Sequence, residues 1–213
     1  MMLTYEEQLD RNLEWALREG SMHFEGESAV HKTLHRICQR LDELGIDYAI
    51  VGGMAMYMHG FRRFTEDVDI LVTREGLQRI HEEIEGRGFI RPFEKSKNLR
   101  DAETRVRVEF LITGQFPGDG RAGPVAFPDP ARVVEVRGGL KVLNLDNLMA
   151  LKLASSRGAG RRKDLADAQE LIRTLKLPLE FRDRLDPSLR ELYAELWQEL
   201  ERARLEGDPQ DQQ

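Results

Sequence analysis

A glycine pair, Gly52-Gly53, follows the strand-like run Tyr48-Ala49-Ile50-Val51, and two aspartates one residue apart, Asp67 and Asp69, lead into the apolar run Ile70-Leu71-Val72. Side chains alternate along a strand, so Asp67 and Asp69 project from one face while Val68 and Ile70 pack behind them. Two carboxylates held that close repel, and fixing them in place is costly unless a cation neutralises them. An all-oxygen donor set suits a hard cation such as Mg²⁺, which keeps water and substrate phosphates among its ligands. The glycine turn ahead of the helix-sized segment Met54 to His59 leaves backbone N–H groups facing outward, where they can meet a phosphate. This combination points to metal-assisted phosphoryl chemistry.

Around this motif the periodicity predicts a small mixed sheet with helices before and after it. A helix is expected over Thr4–Arg18, with Leu9, Leu13, Ala16 and Leu17 as its apolar side. Another spans Ser28–Leu44, where Val30, Leu34, Ile37, Leu41 and Leu44 recur at helical steps and Gly45 stops the run. Strand Asp47–Val51, helix Gly53–His59, strand Asp67–Val72, helix Arg74–Glu85 and a short strand at Phe89-Ile90 come next. Arg105–Ile112 alternates, placing Arg105, Arg107 and Glu109 on one face and Val106, Val108, Phe110 and Ile112 on the other. Thr113–Pro130 reads as a loop, and Gly138-Gly139 as the turn of a hairpin between Val133–Val136 and Leu140–Leu143. The last third is helical, over Asp146–Ser155, Arg161–Leu175 and Ser188–Arg204, with a break at Gly158-Ala159-Gly160. The expected organisation is residues 1–45 as N-terminal helices packed on the core, 46–144 as the carboxylate-bearing core, 145–206 as a helical part and 207–213 as a disordered tail.

Composition narrows the classes. With 40% hydrophobic and 33% charged residues, the 213-residue chain suits a soluble globular protein, and the predicted mixed sheet with flanking helices makes its expected class α+β. No apolar run reaches the roughly 20 residues that span a bilayer, and no signal peptide is evident, so no membrane partner and a cytoplasmic location are expected. One cysteine, Cys38, excludes an internal disulfide framework and fits a small core residue. A net charge of −6 argues against broad affinity for nucleic acid, although Arg62-Arg63, Arg105 with Arg107, and Arg157 with Arg161-Arg162-Lys163 are local basic groups.

Gly-Gly, then Arg63-x-Thr65-x-Asp67-x-Asp69, then Glu109 on a later strand, resembles the nucleotidyltransferase superfamily related to DNA polymerase β. Lys152 within Leu148–Ala154, followed by Lys163-Asp164-x-x-Asp167, is similar to the branch that contains abortive-infection nucleotidyltransferase toxins. The resemblance covers about Asp47 to Leu175. It implies a minimal nucleotidyltransferase fold, a mixed sheet flanked by helices with a helical C-terminal part. The implied reaction is Mg²⁺-dependent transfer of a nucleoside monophosphate from an NTP to an acceptor hydroxyl. Asp67, Asp69 and Glu109 would be its catalytic carboxylates and hold two Mg²⁺ ions; Glu109 stands where the family usually has aspartate. Gly52, Gly53, Arg63, Thr65, Lys152, Lys163 and Asp164 would bind the nucleotide. A toxin-like enzyme acting on tRNA or protein, with a cognate antitoxin, is the leading expectation. An aminoglycoside or lincosamide nucleotidyltransferase and a non-catalytic nucleotide-binding or protein-interaction module are the alternatives, and homodimerisation stays open.

Each residue also has a plainer role. Glu109 can be an exposed partner of Arg105 or Arg107, and Gly52-Gly53 an ordinary tight turn. Asp164 and Asp167 can belong to an ion-pair ladder, and the arginines at 157, 161 and 162 to a solvated turn rather than a phosphate-binding surface. His31 and His35 lie one helical turn apart without a third ligand, which reads as surface histidines, and His59 beside Gly60 reads as a helix end.

Overall fold

The computed structural model describes residues 3–118, 120–156 and 162–206. Arg157, the break at Gly158-Ala159-Gly160, Arg161 and the tail from Gly207 lie outside the described residues. The chain divides into two compact units, one of Met1–Gln115 with Phe127–Asn144 and one of Phe116–Ala126 with Leu145–Gln213.

The first unit opens with three helices. The expected helix over Thr4–Arg18 is instead two, α1 (Tyr5–Arg11) and α2 (Leu13–Glu25). Asn12 breaks them apart: its backbone is extended and its side chain accepts a hydrogen bond from the Trp15 N–H at 3.0 Å, a better use of an asparagine than a helix interior. The apolar side assigned to this segment is wrong as well. Leu13 and Leu17 are exposed, whereas Tyr5, Glu19 and His23 are buried. Helix α3 (Ala29–Glu43) buries the predicted stripe of Val30, Leu34, Ile37 and Leu41, and Cys38 joins the core.

Seven strands follow: β1 (Tyr48–Ile50), β2 (Asp67–Val72), β3 (Phe89–Ile90), β4 (Leu99–Asp101), β5 (Arg107–Ile112), β6 (Val134–Arg137) and β7 (Leu140–Leu143). They form one mixed sheet in the order β3-β4-β5-β2-β1-β7-β6, with β2 parallel to β5, β1 parallel to β7 and the remaining neighbours antiparallel. Helices α4 (Gly52–His59), α5 (Arg74–Glu83) and the short α6 (Pro130–Val133) complete the unit. Strand β4 and helix α6 were not foreseen, because three or four residues carry too little periodicity to read. The Gly138-Gly139 turn has φ of 56° and 80°, the left-handed pair that joins two antiparallel strands tightly. Strands β1 and β2 bury their apolar side chains, with Ile50, Val68, Ile70 and Leu71 fully buried.

The second unit consists of α7 (Leu145–Ser155), α8 (Arg162–Leu175), two short 3₁₀ turns at Leu179–Arg184 and Pro187–Leu189, and α9 (Arg190–Glu206). Tyr193 is buried and donates to the Pro178 carbonyl at 3.0 Å, and Trp197 donates to the Leu177 carbonyl at 3.0 Å, so α9 is tied to the turn that follows α8. Among the described residues no helix is long and apolar enough to cross a membrane.

Three histidines expected at the surface or at a helix end are also resolved. His35 is exposed, but His31 and His59 are buried, and so is His23. Burial lowers all three imidazole pKa values, that of His31 to about 4 from 6.5. Each is therefore neutral in the fold and protonates more readily once the chain unfolds. Their contribution to stability is complete above pH 6.5 and declines as pH falls toward 4, where His31 itself takes up a proton in the folded state. Urea unfolding at successive pH values is expected to show stability already falling between about pH 6.5 and pH 5, before carboxylates titrate, and His31→Asn is expected to flatten that slope.

Candidate active site

The parallel pairing of β2 with β5 sets Asp69 opposite Glu109 and Asp67 opposite Arg107. Because side chains alternate, Asp67, Asp69 and Glu109 emerge on one face while Val68, Ile70, Val108 and Phe110 are buried on the other. Carboxylate oxygens of the three acids lie within 4.8 Å of one another, and all three residues are half-buried. Glu109 is half-buried rather than exposed, but the ion pairing of its plainer reading is present. Lys97 Nζ is 3.9 Å from one Glu109 oxygen and Arg107 Nη2 is 3.8 Å from the other.

The glycine pair supplies space. Gly52 has φ +60°, a left-handed conformation that disfavours a Cβ, and a Cβ there would fall on Asp69 Oδ2 and within 2.8 Å of Asp69 Cγ. At Gly53 a Cβ would meet Thr65 Oγ1 at 2.7 Å and Thr65 Cβ at 2.8 Å. Both glycines are thus needed for close approach, Gly52 by an acid of the cluster and Gly53 by the threonine that supports another. Thr65 is buried, and its hydroxyl donates to Asp67 Oδ1 at 3.1 Å. Gly52 and Gly53 also begin α4, whose N-cap residue Val51 makes no side-chain cap. Their N–H groups lie at the positive end of the helix, beside the acids. Arg63 serves the turn ahead of β2: its Nη1 donates to the Phe64 carbonyl at 3.1 Å.

Arg107 was read as a local basic residue and a candidate partner of Glu109, and its shortest contact is instead with Asp67. Its Nη2 donates to Asp67 Oδ2 at 2.7 Å. Burial works against its charge, but the hydrogen bond and charge of Asp67, with Glu109 adding to them, raise its pKa. Asp67 is therefore held from two sides, by Thr65 on one oxygen and Arg107 on the other. The donor set fits a divalent cation: three carboxylates on adjacent strands, oxygen donors alone, and a glycine that keeps the space around Asp69 open.

In the second unit, Lys152 on α7 is nearly buried and donates to Asp164 Oδ1 at 2.9 Å and to Asp167 Oδ2 at 2.8 Å on α8. The exposed-ladder reading of Asp167 does not hold: it is buried, one helical turn beyond Asp164, and shares the lysine. The lysine within an apolar helix segment thus has its partners. Lys163 is exposed at the start of α8.

Two substitutions test this geometry. Gly52→Ala is expected to cost about 1–2 kcal/mol in backbone strain and to weaken Mn²⁺ binding by displacing Asp69, measurable by thermal unfolding and by calorimetric titration. Arg107→Gln is expected to tighten Mn²⁺ binding about tenfold, since a guanidinium no longer competes for Asp67; unchanged or weaker binding would contradict the competition.

Comparisons with known proteins agree with this arrangement. The family model described as "Nucleotidyl transferase AbiEii toxin, Type IV TA system" matches residues 36–211. A comparison with curated proteins gives no significant match. Among solved structures, the chain is similar to ANT(2")-Ia in complex with adenylyl-2"-tobramycin at TM-score 0.50 and 12% identity, over 78% of this chain and 97% of that one. It is also similar to JHP933 from Helicobacter pylori (TM-score 0.43, 16% identity, 73% and 70% covered). A third similarity is to an antigenic nucleotidyltransferase-like protein from Paracoccidioides brasiliensis (TM-score 0.42, 19% identity, 67% and 74% covered). At 12% identity the first of these speaks to the fold alone, an α+β nucleotidyltransferase fold. With the family model spanning most of the chain and the carboxylates clustered beside a glycine turn, the protein belongs to the AbiEii nucleotidyltransferase toxin family and is a nucleotidyltransferase.

Proposed function

We propose that this enzyme transfers a nucleoside monophosphate from an NTP to a hydroxyl of tRNA or of a protein, with Mg²⁺ held by Asp67, Asp69 and Glu109. The observation that carries the proposal is the convergence of those three carboxylates beside Gly52. A divalent ion bound there neutralises triphosphate charge and lowers the pKa of a nearby hydroxyl.

The chain's own residues do the rest. Asp67 and Asp69 would hold the cation, with Thr65 fixing one oxygen of Asp67 and Arg107 giving up the other as the ion binds. The backbone N–H groups of Gly52 and Gly53, at the start of α4 beside Asp69 and Thr65, are the groups that would meet the triphosphate. Glu109 accepts the proton of the acceptor hydroxyl, whose oxygen bonds to the α-phosphorus as the bond to the departing pyrophosphate breaks. Lys152, held by Asp164 and Asp167, and the exposed Lys163 are the second unit's own candidates for nucleotide phosphates, and Arg63 steadies the turn that precedes the acids. Membership of a toxin family supports a cellular macromolecule as acceptor and a cognate antitoxin as partner.

Incubation with each α-labelled NTP, Mg²⁺ and either total tRNA or total protein tests the reading. Label is expected in one acceptor pool and is expected to vanish in the Asp67→Ala/Asp69→Ala variant; transfer that survives the double substitution would refute the site. Lys152→Met is expected to raise KM for the NTP by at least about tenfold, the scale of one lost charge-assisted contact.

A further inference from the structure

The turn that delivers Thr65 and Asp67 to the acid cluster is gripped from outside the segment that the family model matches. His23 on α2 is fully buried, and its Nε2 lies 3.0 Å from the Arg63 carbonyl, two residues before Thr65. A carbonyl can only accept, so Nε2 carries the proton and neutral His23 must accept at Nδ1. That nitrogen is 3.4 Å from the buried Ser28 hydroxyl, which therefore donates to it and in turn accepts from His31 Nδ1 at 3.0 Å. The hydrogen bonds run one way, from His31 through Ser28 and His23 to the Arg63 carbonyl, and they start at a ring whose other nitrogen, His31 Nε2, is buried with no hydrogen-bond partner. One tautomer of each ring satisfies the chain.

The same helix holds α4. The Tyr57 hydroxyl donates to the Phe24 carbonyl at 3.2 Å, and the His23 ring packs edge-on to Tyr57 at 5.4 Å and against Phe64 at 5.0 Å. Helix α4 begins with Gly52-Gly53, against which Asp69 and Thr65 rest. The backbone that presents Asp67 and the helix that makes room for Asp69 are thus both fastened to one short stretch, His23-Phe24. The family model begins at residue 36, after His23, Ser28 and His31.

We propose that His23 is a positioning residue for the metal-holding carboxylates: its Nε2–H donation to Arg63 sets the turn that places Thr65 and Asp67, and the N-terminal helices are a brace for the active site. This rests on the assignment of Asp67, Asp69 and Glu109 as the cation site. A merely structural histidine would be replaced by any ring of similar shape, whereas a donor would be replaced by a side chain that presents an N–H at the same reach.

The test compares wild type, His23→Phe, which keeps a ring and loses the donor, and His23→Gln, whose amide N–H can take the place of Nε2–H. Two readouts are independent of turnover: amide hydrogen exchange over residues 61–66, and Mn²⁺ affinity by electron paramagnetic resonance. His23→Phe is expected to exchange about tenfold faster in that segment and to bind Mn²⁺ about fivefold more weakly, with His23→Gln close to wild type in both. If His23→Phe fails to fold, Ser28→Ala, which removes the hydroxyl that selects the tautomer, is expected to shift both readouts the same way by a smaller factor. Unchanged Mn²⁺ affinity in His23→Phe, or a His23→Gln variant no better than His23→Phe, would overturn the proposal. Wild-type Mn²⁺ binding by Asp67→Ala/Asp69→Ala would instead overturn the cation site, and faster exchange in His23→Phe would then mark His23 as holding the turn alone.

Discussion

Everything at the acid cluster follows from the register of one parallel strand pair. Asp69 stands opposite Glu109 because β2 and β5 pair in a single frame, from Asp67 with Arg107 through Val72 with Ile112. A slip of β2 by one residue against β5 would turn it inside out, sending Asp67 and Asp69 toward the core and Val68 and Ile70 toward the acid face. The apolar faces therefore lock the polar face. Burial of four β-branched or aromatic side chains is worth several times any single electrostatic contact on the exposed side.

That frame creates an electrostatic difficulty and also its relief. Three carboxylates are brought within 4.8 Å, and the same register delivers Arg107 to Asp67 at 2.7 Å. The protein thus carries an internal counter-charge, so the cluster does not depend wholly on an external ion to be tolerated. The arginine is half-exposed, a position from which its head can turn outward at little cost. The plain reading of Arg107 and Glu109 as a strand-surface ion pair and the functional reading of Glu109 as an acid of the cluster are two aspects of one arrangement.

Much of this was legible in the sequence, for physical reasons that can be named. The Gly52-Gly53 turn, the Asp67-x-Asp69 strand and the alternation through Glu109 are local patterns, and the long stripe of α3 and the Gly138-Gly139 hairpin are equally local. What sequence reasoning missed depends on contacts between segments. Asn12 looks like a tolerable helix residue until its side chain is seen capping Trp15. Leu13 and Leu17 look like a buried face until α2 is seen to bury Glu19 and His23 instead. Asp167 differs from a surface acid only by its contact with Lys152 from another helix, and His23 from a surface histidine only by a carbonyl forty residues away in the chain. The signals for Asp167 were its place in the Lys163-Asp164-x-x-Asp167 run and its position one helical turn beyond Asp164.

The strand order carries a consequence for how such a protein is made. Strand β1 pairs with β2, which follows it closely, but also with β7, which lies at the far end of the first unit. During synthesis, β2 and β5 can meet while the later strands are still unmade, leaving one edge of β1 bare until Leu140–Leu143 leaves the ribosome. Non-local parallel pairing is slow to form, and a bare edge is where a nascent chain is open to other partners. The interval between completion of β5 and arrival of β7 is thus a window in which the acids are assembled but the sheet beneath them is unfinished, so that translation itself delays the moment at which the enzyme becomes whole.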